Sequence, residues 1–302
     1  MTPRFSHFAA VDWSGAAGQW HRGIAVAIIG PEDPAPFLLH PDRTWSRSQV
    51  LEWLVDETPH DTLIGFDLGQ SLPFMDAGGF FPTWDRSPGT ARNLWALVEE
   101  LCADEPHLGA TGFADHPDLA PHFRRPRTKD EGNRQGAHYP AGRGRLRVTE
   151  HAQAALGCAP TSNFNLVGAA QVGKGSLAGM RLFHRLPREI TVWPIDPLPA
   201  AEGYAGKVVV EIYTTIAAMA AGRSARASKI RDHAALGDAL AALGCAGTAA
   251  TGPITDHAAD ALITAAWLRH ASRDAALWSA LWNPAALTPE IAQTEGWTFG
   301  AL

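Results

Sequence analysis

The sequence predicts an α/β protein in which helices flank a mixed central sheet and a large insertion divides the core. Strand-like and helical segments follow one another in the order βββαβ near the start of the chain, and regular patterns return after residue 205. Between about residues 75 and 205 the chain is crowded with Gly, Pro, Arg and His. We therefore expect a single domain over residues 1–302, with its core in residues 5–75 and 205–272 and a tail at 273–302.

Apolar runs predict the first elements. Asp12 closes a run that begins at His7, and the turn residues Ser14 and Gly15 follow it. Ser46 can cap a helix whose apolar residues have helical spacing. The predicted elements are strands at 7–12, 20–29 and 36–39, a helix at 46–55 and a strand at 62–67.

The later elements are predicted in the same way. Gly244 is typical of a residue that ends a helix, and Gly252 and Pro253 break the chain before the last strong helix. The elements are a helix at 90–102, a strand at 207–213, a helix to about 221, and helices at 232–243 and 256–270. The tail contains Trp278, Trp282 and Trp297, and we expect it to pack across the surface.

Composition limits the classes of function. The net charge of −6 gives no basic field over the whole molecule, so contact with nucleic acid must depend on a local patch. Three widely spaced cysteines without a C-x-x-C pair indicate reduced thiols in a cytoplasmic protein, and neither a disulfide framework nor a zinc site. No apolar run has the length of a membrane helix, so we expect no membrane partner. The sequence indicates no protein partner.

Four acidic residues are the strongest functional signal. Asp12, Asp67 and Glu211 end strand-like apolar runs, and Asp260 lies in the second turn of the last strong helix. Taken singly, Asp12 and Asp67 could be turn formers, and Glu211 could point to solvent. Taken together, carboxylates at the ends of buried strands repel one another and resist desolvation, so they need a cation to converge. Carboxylate oxygens are the ligands that Mg²⁺ takes, and the sequence therefore predicts a Mg²⁺ or Mn²⁺ site.

The last strong helix carries three polar residues on one broad face. Asp256 and His257 lie four and three positions before Asp260, which is the spacing of helical neighbours. Asp256 is explained equally well by the helix dipole, which favours an acid in the first turn. His257 could position water or act as a general base, because its ordinary pKa is close to neutrality, or it could simply bond to the backbone at the helix start.

These motifs, in this order, resemble the RNase H-like superfamily, and the late helix is similar to that of RuvC-type nuclease domains. They resemble more closely a bacterial family with a domain of unknown function that is labelled a predicted RNase H-like nuclease. The match covers about residues 5–75 and 205–300. The motifs that carry it are Val11-Asp12-Trp13-Ser14-Gly15, Gly65-Phe66-Asp67-Leu68, Val210-Glu211-Ile212-Tyr213 with Lys229, His257-Ala258-Ala259-Asp260-Ala261 and Glu295-Gly296-Trp297.

The resemblance implies a metal-dependent nuclease that acts on a nucleic acid or nucleotide phosphodiester. Asp12 would bridge two metal ions, Asp67 and Asp260 would each hold one, and Glu211 or His257 would position water. Lys229 and Ser14 are additional candidates. Two other classes remain open, namely a non-catalytic nucleic-acid-binding module and an actin-like ATP-dependent phosphotransferase. The second would need a further domain of the same kind, and residues 75–205 show no convincing copy.

Two further segments contain phosphate-binding residue types. The Arg-rich segment 122–147 includes Arg124, Arg125 and Arg127, which could bind substrate phosphates or could belong to a solvated loop. The stretch Gln171–Ser176 contains Gly-Lys-Gly but lacks P-loop spacing, and it favours a glycine turn.

Overall fold

A six-stranded mixed sheet forms the centre of the protein. The computed structural model describes residues 2–126, 134–168, 171–198, 206–248 and 250–302. The order across the sheet is β3 (Phe37–Leu38), β2 (Ala25–Ile29), β1 (His7–Asp12), β4 (Thr62–Asp67), β8 (Lys207–Glu211) and β7 (Ile190–Trp193). The first three strands are antiparallel, and β4, β8 and β7 continue parallel to β1. The predicted mixed sheet and the order βββαβ are confirmed.

Helices cover both faces of this sheet. They are α1 (Arg47–Glu52) with a π-helical turn (Trp53–Glu57), α2 (Ala91–Leu101), α3 (Val148–Ala155), α4 (Val172–Arg185), α5 (Thr214–Ala220), α6 (His233–Ala242), α7 (Asp256–Ser272), α8 (Ala275–Trp282) and α9 (Pro289–Thr294). Short 3₁₀ turns lie at Pro106–Leu108, Gly112–Asp115, Ala120–His122 and Ala225–Ala227, and β5 (Arg124–Arg125) pairs with β6 (Arg134–Gln135) in a separate ribbon. No helix among the described residues is long and apolar enough to cross a membrane.

The alternation of side chains along the strands decides which acids share a face. Phe8 and Ala10 of β1 pack with α7, whereas Val11 packs on the opposite face with α2 and α4. Because successive side chains of a strand point to opposite faces, Asp12 follows Phe8 and Ala10 to the α7 face. Asp67 reaches the same face, since it pairs with Asp12 in the parallel register of β1 and β4.

The middle of the chain contributes to this same sheet. Strand β7 forms its edge beside β8, and α2 and α4 pack over one face. The glycine turn expected at Gln171–Ser176 is wrong, because α4 begins at Val172 and its glycines pack closely. Gly173 is one of these, since a Cβ atom there would lie 2.1 Å from the carbonyl oxygen of Asn163.

The tail is part of the core. Trp278, Trp282 and Trp297 are all buried on the α7 side of the sheet, where the first two pack with Phe299. The expectation that the tail packs across the surface is therefore wrong. The backbone N–H of Phe299 also donates to the carbonyl of Glu211, so the tail lies beside the end of β8.

Candidate functional site

Two acids meet at the carboxyl edge of the sheet. Asp12 ends β1, Asp67 ends β4, and the two residues are direct partners in the parallel register. Neighbouring strands lie about 4.8 Å apart, so two side chains on one face at the same register are close neighbours. Asp12 is 5% exposed, whereas Asp67 is only partly covered. The sheet thus holds two carboxylates side by side below the start of α7.

Asp260 faces this pair from α7. It is buried at 3% exposure, and the Nζ atom of Lys229 donates a short hydrogen bond to its Oδ2 atom. Burial raises the pKa of the Asp260 carboxyl, although Lys229 lowers it. Burial alone would lower the pKa of Lys229, but Asp260, Asp67 and Asp12 raise it above its ordinary value. One ammonium group therefore lies within the field of three carboxylates.

His257 is attached to Asp12. Its Nδ1 atom lies 3.1 Å from the Oδ1 atom of Asp12, and its side chain is 46% exposed. This hydrogen bond raises the pKa of His257 against the opposing effect of burial. The ring of His257 therefore bonds to a carboxylate, and not to the backbone at the helix start. His257 instead joins the start of α7 to the end of β1.

Asp67 is the least compensated of the acids. Among the described residues, none donates a hydrogen bond to its carboxylate. Burial, followed by the charges of Asp12 and Asp260, raises the pKa of Asp67 well above its ordinary value, and Lys229 offsets this only in part. Burial also raises the pKa of Asp12, although His257 and Lys229 lower it. The group as a whole has more negative charge than its two cations balance.

A cavity of about 550 Å³ opens over this edge of the sheet. Asp67, His257 and Lys229 line it, together with the β1–β2 connection and the start of α4. Its volume lies within the range of about 300–1,000 Å³ that is usual for small-ligand sites. The uncompensated carboxylate and both cations are therefore accessible to a ligand.

Glu211 has a different position from the one that the sequence suggested. It pairs with Phe66, one residue before Asp67, so its side chain leaves β8 on the opposite face. Its Oε1 atom lies 2.6 Å from Nη2 of Arg147, and its Oε2 atom accepts from the N–H of Gln70 at 2.7 Å. Thr298 also donates to it. Glu211 lines the same cavity, but its oxygens are already occupied by protein donors.

The remaining candidates are distributed around this centre. Ser14 lines the cavity and accepts from the N–H of Ala16, whereas Asp256 lies 3.6 Å from Arg231 and forms a solvent-side pair. Arg124 and Arg125 form β5, and Arg125 lines a second cavity. Arg127 lies outside the described residues.

The segment 122–147 is only partly a phosphate-binding candidate. Arg147 is 1% exposed and lies between Glu150 and Glu211, and Arg145 donates to Asp76 and to three backbone carbonyls. Both cations are therefore committed to the fold, and Arg147 in particular cannot reach a substrate without leaving two buried acids unpaired. The spacing of Arg147 and Glu150, three residues apart at a helix start, was a signal for this pair.

Sequence reasoning missed Arg47, which fixes the loop after Asp12. Its buried guanidinium donates to the carbonyls of Ser14 and Ala16, the latter at 2.6 Å, and to that of His107. Burial, with a contribution from Arg181, lowers the pKa of Arg47 to about 10. No carboxylate pairs with it among the described residues. Arg47 thereby ties the β1–β2 connection to the 3₁₀ turn at Pro106–Leu108.

The same loop makes a close contact that allows one prediction. A Cβ atom on Gly15 would lie 2.3 Å from the backbone N of Gly175 and 2.6 Å from the carbonyl carbon of Lys174. We expect Gly15→Ala to push α4 away from the loop and to destabilise the protein by about 1–3 kcal/mol. Urea denaturation measures this change, with Gly89→Ala as the control, because a Cβ atom at Gly89 has no neighbour within 4 Å and its backbone is outside the left-handed region. Equal stability of Gly15→Ala and wild type would contradict the close packing.

No protein-family model, curated protein or solved structure matches this chain at a significant level. Within the described ranges, no three His, Cys, Asp or Glu side chains are already arranged as ligands of one metal ion. The geometry and charge of the site are therefore what indicate its function, and they come from Asp12, Asp67, Asp260, Lys229 and His257.

Proposed function

We propose that this chain is an RNase H-like phosphodiester hydrolase, a nuclease that requires Mg²⁺ or Mn²⁺. The observation that carries the proposal is the paired register of Asp12 and Asp67, with Asp260 facing them and the pKa of each raised by burial. Such an arrangement is costly for stability unless a cation binds it, and perturbed carboxylates in a cavity are typical of functional sites.

The sheet supports the finer fold assignment. Three antiparallel strands lead into a fourth that lies parallel beside β1, and α7 packs across β1 and β2. This is the arrangement that the resemblance to the RNase H-like superfamily implies. It also puts the acids of β1, β4 and α7 at one edge, which is where that resemblance expects its site.

The donor set fits a hard divalent cation. Asp67 has a carboxylate on the cavity that no described residue bonds, and Asp12 lies beside it, so these two would hold the metal. Asp260 would join them after exchanging Lys229 for the cation, because its carboxylate is now engaged by that ammonium. When bound, divalent ions in such sites activate water and stabilise the leaving oxygen of a phosphodiester.

The two cations of the site have their own tasks. His257 holds a proton at Nδ1 against Asp12, and its exposed ring faces the cavity. Lys229 also lines the cavity, and its raised pKa keeps it charged. Both groups would attract a phosphate to a site that is otherwise acidic, and they would orient it by charge-assisted hydrogen bonds.

We expect Asp12→Asn to abolish Mn²⁺-dependent cleavage, with a loss of at least about 10³-fold, while the fold is retained. Asn keeps the shape of the side chain but removes the charge that holds the cation. The measurement is cleavage of labelled single-stranded and duplex DNA and RNA, of branched junctions and of small nucleotide diesters, with circular dichroism as the check on folding.

The matched control is Asp56→Asn, because Asp56 is exposed in the π-helical turn before β4, at the other end of the sheet. It should cleave like wild type. Cleavage by Asp12→Asn at the wild-type rate would rule out the mechanism. Binding of nucleic acid without cleavage by the wild type would instead indicate the non-catalytic alternative.

A further inference from the structure

A second cavity lies directly beside the acidic one. Its volume is about 570 Å³, and Gly15 and Ala16 line both cavities. The backbone of Gly15 touches the start of α4, so the β1–β2 connection and the first turn of α4 together separate the two cavities. A ligand that consists of two or more linked units could therefore place one unit in each cavity.

The walls of the second cavity are apolar. The side chains that form them come from the 3₁₀ turns, from the loop before α4 and from α4 itself. They are Pro106, Ala110, Ala114, Leu166, Leu177 and Ala178. Small aliphatic walls of this kind suit a flat heterocycle, which loses little in leaving water and gains contact area on both faces.

The polar groups of this cavity are mainly cationic. Lys174, in the first turn of α4, has no carboxylate partner among the described residues, and the buried Nε–H of Arg125 has no acceptor there. Arg47 adds a buried charge whose hydrogen-bond acceptors, among the described residues, are carbonyl oxygens.

The two acids that line the second cavity are already engaged. Glu105 accepts the N–H groups of Thr111 and Gly112 at 2.9 and 2.6 Å, and Asp115 pairs with Arg125 at 3.1 Å. The cations outnumber these acids, and the cavity therefore favours an anion.

We propose that the second cavity binds one nucleotide, with its base against the apolar wall and its phosphate at Lys174 and Arg125. The catalytic meaning of this site rests on the proposed function, because the bound nucleotide would be the neighbour of the phosphodiester in the acidic cavity. A base that is stacked in a duplex must leave the stack to enter such a cavity. The substrate class is thus a single-stranded nucleic acid, a frayed end or an oligonucleotide, and not an intact duplex.

Binding of adenosine 5′-monophosphate in the presence of EDTA tests this site without the metal. Adenosine and ribose 5-phosphate, measured alongside by calorimetry, separate the contributions of base and phosphate. We expect adenosine 5′-monophosphate to bind more tightly than either fragment. Absence of saturable binding at millimolar concentration would overturn the inference. Equal affinity for ribose 5-phosphate and adenosine 5′-monophosphate would overturn the placement of the base.

Lys174→Ala sharpens the test. It should weaken binding of adenosine 5′-monophosphate by about tenfold, since a hydrogen bond to a charged group is lost, and it should leave the affinity for adenosine unchanged. Arg188→Ala is the matched control, because Arg188 is exposed and lines neither cavity. An equal loss for adenosine, or an equal effect of Arg188→Ala, would contradict the assignment of the phosphate to Lys174.

The two proposals fail in different ways. If the nucleotide binds as described but no substrate is cleaved with Mn²⁺, the second cavity stands and the proposed hydrolase does not. If Mn²⁺-dependent cleavage depends on Asp12 but duplex DNA is cut as fast as single strands and the nucleotide does not bind, the second cavity is wrong and the hydrolase stands.

Discussion

Asp67→Asn is expected to make the protein inactive and, in EDTA at pH 8, more stable than wild type. The Asp67 carboxylate is in the field of three other acids, Asp12, Asp260 and Glu211, and receives no hydrogen bond from the described residues. Its replacement by a neutral amide of the same shape removes this repulsion. We expect a gain of about 1–2 kcal/mol, or roughly 2–3 °C in Tm. A lower Tm at pH 8 would show that the carboxylate makes a favourable contact.

The pH dependence of this gain follows from the sign of the pKa change. Burial and the neighbouring acids raise the pKa of Asp67 well above 3.8 in the folded protein, so the folded state holds this proton more tightly than the unfolded state. The stability that this proton contributes is fully present below the pKa of Asp67 in the unfolded state. It is lost as the pH rises through the pKa of Asp67 in the folded state. The advantage of Asp67→Asn should therefore be larger at pH 8 than at pH 5. Thermal unfolding at both values measures it.

Addition of Mg²⁺ provides an internal control for this prediction. A ligand that binds only the folded state stabilises it in proportion to the logarithm of its concentration above Kd. Wild type should gain stability with Mg²⁺ and approach or exceed Asp67→Asn, whereas the variant should respond weakly. If both proteins respond equally, Asp67 is not a ligand.

Arg147→Met is expected to cause the largest loss of stability, about 3–5 kcal/mol, and a fall in Tm of roughly 5–8 °C. Burial works against the charge of Arg147, but Glu150 and Glu211 raise its pKa above the ordinary value. Its Nη2 atom lies 2.6 Å from an oxygen of each acid. Without Arg147, both carboxylates would be buried and unpaired. Denaturant unfolding measures the loss.

Two further variants serve as controls for Arg147→Met. Arg143→Ala removes an exposed cation of the same segment and should change stability by no more than about 0.5 kcal/mol. The triple variant with Glu150→Gln and Glu211→Gln should recover part of the loss, because the uncompensated charges are then absent. A loss below about 1 kcal/mol for Arg147→Met would mean that this buried ion pair is not needed for stability.

The sequence predicts those residues of the candidate site whose positions depend on a short stretch of neighbouring sequence. An acid that follows an apolar run marks the end of a strand, and this sufficed for Asp12 and Asp67, whose strands begin and end where the pattern predicts. Helical spacing similarly located Asp260 and His257 in α7. Both patterns can be recognised from the few residues on either side of the acid or histidine.

Glu211 shows what a local pattern cannot give. The sequence indicates that it ends a strand, but the face that its side chain takes depends on the register against β4, where it pairs with Phe66 instead of Asp67. A shift of one residue would reverse that face. The register is set by packing with distant segments, and no feature of Lys207–Glu211 reports it.

Helix α4 and Arg147 were misjudged for a related reason. Glycine has a poor helix propensity, so Gly173 and Gly175 suggested a turn, whereas tertiary packing requires the lack of a side chain at Gly173. Arg147 belongs to a stretch rich in cations, which suggested solvent, but its two acidic partners lie three and sixty-four positions away. The burial of a charged side chain can be predicted only when its oppositely charged partners are known.

The pairing of Asp12 with Asp67 has a consequence for the order of folding. Strand β1 is joined to β2 by the short β1–β2 connection. By contrast, β4 lies parallel beside β1. Strand β8 pairs Lys207 with Thr62 of β4, and these two residues are 145 positions apart along the chain. Closing such long loops costs entropy, so we expect the pairing of the distant strands to be incomplete in the folding transition state. On that expectation, the repulsion between the acids raises the unfolding rate and leaves the folding rate nearly unchanged. The charge that we propose for metal binding would thus shorten the lifetime of the native state without slowing its formation.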